Sequence, residues 1–100
     1  MNTFKNAKQP ILGTGTIIYT VPPATQTVVH SIYIANITPI NAHVTIKVGA
    51  IRLAFNKQVL AEDYITLDKP INLITGEAIT IVAEDGDNTI EAFVSVMEIT

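Results

Sequence analysis

Along much of this chain apolar and polar residues alternate with a period of two. From His43 to Val48, Val44, Ile46 and Val48 fall on one side and His43, Thr45 and Lys47 on the other, the pattern of a half-buried antiparallel strand. Ile51, Leu53 and Phe55 repeat it in IRLAF. Ile79 and Ile81 do so between Ala78 and Ala83. Ile90, Ala92, Val94 and Val96 share one side of a last strand from about Thr89 to Ile99. The stretch Thr27 to Thr38 is different. Val28, Ile32 and Ile34 line one side with His30 and Asn36, while Val29, Tyr33, Ala35 and Ile37 line the other. Apolar residues on both faces predict a central strand, or one whose outer face meets a partner.

Shorter β-rich runs are Thr16–Val21, stopped by Pro22-Pro23, then Tyr64–Leu67, and INLI after Pro70. Proline cannot donate to a ladder and ends such runs. Turns are expected at PPATQ, at Pro39-Ile40-Asn41, at Gly49, at Thr75-Gly76-Glu77 and at Asp85-Gly86-Asp87-Asn88. The last is the strongest hairpin signal, because Asp-Gly supplies the positive φ of a type I′ turn. About eight short strands at spacings near 8 to 12 residues, with no helical period, predict an all-β antiparallel sandwich of jelly-roll type. Residues 1–14 mix Asn, Lys and Gln with Phe4, Pro10 and Gly13. They read as an extended N-terminal arm ahead of a domain at 15–100, either a free tail or an arm ordered on a neighbour through Phe4.

Composition sharpens this picture. Isoleucine (16), valine (9) and threonine (13) make 38 of 100 residues, and β-branched side chains suit a pleated sheet. The length allows one domain. Hydrophobic residues are 48% and charged residues only 15%, against about 25% charged in ordinary domains, so self-association is expected. A net charge of −3 argues against a nucleic-acid binder that relies on positive charge. Charge is also unevenly placed. Residues 1–61 carry Lys5, Lys8, Lys47, Arg52 and Lys57 and no acid (+5), and residues 62–100 carry nine acids and Lys69 (−8). Either strands of the two halves interleave and neutralise each other, or the molecule has a basic and an acidic side that stack or dock on a charged lattice.

Little chemistry is written in the chain. Without cysteine there is no disulfide, thiolate metal site or cysteine nucleophile. No apolar run reaches the roughly 20 residues of a membrane helix, and MNTFKNAKQP lacks a signal-peptide core. A soluble protein made in the cytoplasm is expected. Ser31 and Ser95, the two serines, lie inside predicted strands, and His30 beside Ser31 should point to the opposite face, so no nucleophile-base pair forms. His30 and His43 on neighbouring strands could share a metal only without further ligands. Glu84, Asp85, Asp87 and Asn88 are of the ligand type calcium prefers, without the rest of an EF-hand loop. A solvated turn is the simpler reading. No catalytic, cofactor or metal residue is therefore assigned.

The succession IIYTVPPATQTVVHSIYIANIT, AHVTIKV, LAFNKQVLAED, ITGEAITIVAED and EAFVSVMEI resembles the small β-sandwich virion proteins of tailed bacteriophages. The elements that carry it are Ile18 to Pro22, Ala35 to Thr38, Gly76 to Ile79 and Ser95 to Glu98, within about residues 16–99. None is catalytic. The resemblance implies a non-enzymatic structural protein located in the virion. A capsid decoration (cement) protein on the outer head lattice is expected first, with the major capsid protein or other virion proteins as partners, no nucleic acid or membrane, and a homo-oligomer, trimer or dimer. A neck, tail or host-contacting tip component is the alternative, and a carbohydrate-binding module using Tyr19 or Tyr64 a more remote one. Candidate interaction residues are Phe4, Lys5 and Lys8 in the arm and Tyr33 and Ile37 on the second face of the long strand.

Overall fold

A computed structural model describes residues 2–68 and 70–100. Nine strands run in order: β1 (Asn2–Ile11), β2 (Thr16–Thr20), β3 (Gln26–Asn36), β4 (Ala42–Val48), β5 (Ile51–Val59), β6 (Tyr64–Leu67), β7 (Ile71–Leu73), β8 (Ala78–Ala83) and β9 (Ile90–Ile99). One sheet has the order β1-β9-β3-β6, with β7 also on β3, and the other β2-β8-β4-β5. All pairs are antiparallel. The chain crosses between the two sheets in the double Greek-key order of a jelly roll, with β4–β5 and β6–β7 the consecutive strands that stay in one sheet. β6 and β7 share one edge position, on either side of Asp68 to Pro70, which leaves eight strand positions, as the spacing predicts.

The all-β sandwich is therefore present, but the expected arm is not. Residues 2–11 pair with β9 from Asn2↔Ile99 to Ile11↔Ile90 without a break, and Ile11 is fully buried. The domain begins inside the segment read as an arm. Composition hid the strand because its inward positions Thr3, Lys5 and Gln9 are polar, and all three stay exposed.

The core lies between the sheets and is purely aliphatic, with Ile32, Ile34, Val44, Ile46, Ile79, Ile81, Ile90 and Val94 at 0–1% exposure. Outside β3 these are the positions the alternation of β4, β8 and β9 assigns to the interior, but Thr45, read as outward, is buried as well, its hydroxyl bonded to Glu84 and the Asn56 N–H where β4 and β5 shift register. In β3 the alternation changes phase. Thr27 and Val29 are buried, then Ile32, Ile34 and Asn36, because the register with β9 jumps from Val29↔Val96 to Ser31↔Ser95. His30 is the extra residue of a β-bulge. What reads as a strand apolar on both faces is thus one inward face carried across a phase switch.

Two other expectations differ. Ile51 and Phe55 are 69% and 66% exposed, because β5 is an edge strand with two register shifts against β4 and a positive φ of 50° at Asn56. The Asp85-Gly86 turn makes no hairpin. β8 and β9 belong to different sheets, and the segment is a corner held by Asn88 N–H to the Ile11 carbonyl (2.9 Å) and Gly13 N–H to Asp87 (2.7 Å). Turn chemistry fixes a positive φ at Gly86 but not the sheet the chain enters next. The tight hairpin is instead at Gly49-Ala50, between Val48↔Ile51.

Basic and acidic halves interleave: β1 lies on β9, and β4 on β8. Thr45 reaches Glu84 and His43 reaches Asp85 across that second pair. Among the described residues the ion pairs between the two halves are Lys5–Glu98 and His43–Asp85.

Candidate interaction face

The molecule has three tyrosines and three phenylalanines, and none is in the core. Tyr19 and Phe93 are half-buried, and Phe4, Tyr33, Phe55 and Tyr64 are 48–72% exposed. Four of the six stand on the outer face of the β1-β9-β3-β6 sheet, because the residues whose neighbours are buried must point outward. On β9 these are Glu91, Phe93, Ser95 and Met97, between buried Ile90, Ala92, Val94 and Val96.

Register places them in rows. Lys8, Phe93, Tyr33 and Thr66 form one, and Pro10, Glu91, Ala35 and Tyr64 the next. Phe4, Met97 and Val28 form a third. Tyr33 and Tyr64 stack at 6.0 Å with planes 26° apart, and the Lys8 ammonium lies 6.0 Å from the Phe93 centroid. A groove of about 470 Å³ opens between Lys8, Pro10, Tyr33, Glu91 and Phe93. Exposed aromatics flanked by one cation and one carboxylate are the composition of a contact surface, where aromatic anchors carry much of the binding.

Of the candidate residues, Phe4, Lys8 and Tyr33 lie on this face. Phe4 also meets the His30 ring at 6.0 Å. Lys5 is on the other side of β1 and Ile37, 50% exposed, is in the loop after β3, so neither belongs to it. Phe93 and Tyr64 complete the face. The sequence carries a signal for Phe93, since it alternates with Ile90–Val96, but none for the partner strand that puts it beside Tyr33.

The polar motif residues serve the fold instead. Lys5 makes an ion pair of 2.9 Å with buried Glu98. Tyr19 donates to Glu98 at 2.6 Å, and its hydroxyl lies 2.8 Å from that of Thr27. Hydrogen bonds from Tyr19 and Lys5 hold the Glu98 carboxyl below its ordinary value, outweighing burial. Burial first, then the bond to Glu98, pushes Tyr19 up to about 12. Tyr19, a candidate sugar platform in the sequence, is therefore a tied structural residue. Asn36 donates to the carbonyls of Ile40, Val59 and Leu60 and accepts from Thr38, pinning the loop after β3.

The bulge corrects one further expectation. His30 and Ser31 both lie between inward Val29 and Ile32 and so share the outer face, with Ser95 opposite Ser31. No hydrogen bond joins His30 to either hydroxyl among the described residues. His30 and His43 lie in different sheets. The three carboxylates of residues 84–87 diverge to Thr45, His43 and Gly13, and the described residues contain no cluster of three metal-ligating side chains. No helix among them is long and apolar enough to cross a membrane.

No family model matches the sequence, and no curated protein matches it. Solved structures match its fold. A chain of the acidic stable capsid structure of Helicobacter pylori bacteriophage KHP30 aligns over 97% of this chain and 86% of its own, with a TM-score of 0.57 and 11% identity. A chain from Bacillus endospore appendages, described as a novel family of disulfide-linked pili, aligns over 100% and 87%, with a TM-score of 0.55 and 16% identity. At such identities the likeness establishes a common fold.

Proposed function

We propose that this chain is a non-enzymatic structural protein of a tailed-bacteriophage virion, and that it decorates the outer surface of the head. The observation that carries the reading is the match of nearly the whole chain to a chain in a bacteriophage capsid structure. It agrees with the motif resemblance, which rests on other grounds. The pilus protein of like fold is the competing model, but disulfide-linked assembly needs cysteines, and this chain has none. The aromatic outer face, with Lys8 and Glu91 at its centre, supplies the surface that would seat on the major capsid protein.

The test is copy number in purified virions together with cosedimentation on undecorated heads. Decoration requires binding and hundreds of copies, whereas about 6 to 24 copies, multiples of a sixfold ring, would move the protein to the neck or tail. Absence from virions would overturn both. In the binding assay, Tyr33→Ala lowers retention on heads about tenfold, in line with loss of one aromatic anchor, while the melting temperature stays near that of the parent.

A further inference from the structure

An antiparallel sheet that is not closed leaves backbone N–H and C=O groups unpaired along its edges, and proteins blunt such edges with bulges, short strands or cover. Three of the four edge positions here are treated in this way. β2 has five residues and a register shift between Ile17 and Tyr19. β5 has two shifts and the positive φ at Asn56. The position opposite β1 is split between β6 and β7, of four and three residues.

β1 is the exception. It has ten residues in unbroken register with β9 and, among the described residues, pairs with no other strand. Asn2 to Asn6, half of the strand, are exposed, their side-chain contacts being those of Lys5 with Glu98 and Phe4 with the His30 ring. Phe4, 72% exposed, stands in this half.

We propose that β1 pairs antiparallel with β1 of a second copy about a two-fold axis at Asn6, joining two sheets into one. Residues opposite each other must share a face, and this limits the registers. With Asn6 opposite itself, Phe4 lies opposite Lys8 of the second copy on the outer face, twice per dimer. On the inner face, Lys5 lies opposite Ala7 and Thr3 opposite Gln9. The whole stretch Asn2–Pro10 is used, and Pro10, which has no N–H, falls at the margin. Centring the axis on Lys5 or on Lys8 sets like charges face to face, and centring it on Ala7 keeps the ladder length but sets Pro10 inside it opposite Phe4 and loses the aromatic-cation pairs. The sequence of β1 is thus complementary to itself in one register, which selects a second copy rather than an unrelated strand. The pairing also extends the aromatic outer face across both subunits. It stands independently of a place in a virion, since it is read in solution on the purified chain.

Sedimentation equilibrium of the full chain should give a reversible dimer. Phe4→Lys, which opposes Lys8 with a like charge and removes the ring, raises the dissociation constant about tenfold or more, since each dimer loses two such pairs. Phe4→Glu leaves it unchanged or lower, and Phe4→Lys combined with Lys8→Glu restores it. Circular dichroism of each variant should match the parent. Asn6→Cys gives an independent reading. Facing residues of an antiparallel pair lie about 4.5–5.5 Å apart at Cα, inside the range a disulfide spans, so this variant forms a covalent dimer on mild oxidation and Lys57→Cys on bulged β5 does not. A monomer at high micromolar concentration, or a dimer indifferent to Phe4→Lys whose Asn6→Cys form stays uncrosslinked, would overturn the proposal.

Discussion

Glu98 sits on the same side of β9 as Val94 and Val96, a carboxylate in a row of aliphatic side chains. A buried charge is tolerated when it is paired and hydrogen-bonded, and Lys5 and Tyr19 meet both conditions. Removing the acceptor takes a charge-assisted bond from the half-buried Tyr19 hydroxyl, which keeps only Thr27, and opens space in the row, so Glu98→Ala should cost about 2 kcal/mol in urea unfolding. Its pH dependence follows from the directions of the two shifts. Glu98 has a folded value below its ordinary 4.5, so its contribution is present above that pH and is lost as pH falls through the folded value. Tyr19 has a folded value of about 12 against 10.0, so its contribution is complete below pH 10.0 and is lost as pH rises toward 12. Tyr19→Phe should flatten the alkaline limb of a stability-versus-pH curve, and Glu98→Gln the acid limb.

At the level of the element, β3 shows why a strand can be legible in composition and still misread in orientation. β8 and β9 keep strict alternation, and there the pattern alone separates inside from outside, whereas in β4 Thr45 is buried between Val44 and Ile46 at a register shift. β3 carries a one-residue bulge whose cause is tertiary: its lower half pairs with β7 and its upper half with β6, on either side of His30. Nothing local to TVVHSIYI marks that division. β1 escaped for the opposite reason, since its polar inward residues serve Glu98 and the Ile17 carbonyl rather than the core. Of the interaction face, Phe4, Lys8 and Tyr33 could be read as residues without a buried role, but their convergence depends on the order β1-β9-β3. The bulge makes a sharp prediction. Deleting His30 leaves Val29 and Ile32 inward with Ser31 between them, a regular strand, and should change stability by no more than about 1 kcal/mol. Deleting Tyr33 inverts every residue beyond it and should cost several kcal/mol. Thermal unfolding of the two deletions distinguishes these outcomes.

For the molecule as a whole, the division of labour between side-chain classes is unusually clean. Branched aliphatics fill the interior and the aromatics are left to the surface, four of them on one sheet. Core and contact face can therefore be altered separately. Ile81→Ala, at the aliphatic centre, should lose about 2–5 kcal/mol without changing the outer face, and Tyr33→Ala should do the reverse.

The place of β9 in the sheet also bears on how the chain reaches its fold. β1 and β3 flank it and do not pair with each other, yet both precede it by more than fifty residues. β1 can gain no ladder and β3 only its short ones with β6 and β7 until β9 has been synthesised, so nascent chains ending at Asn88 should remain protease-sensitive on the ribosome. Acquisition of structure should then be abrupt and slow, because its decisive pairings span most of the chain.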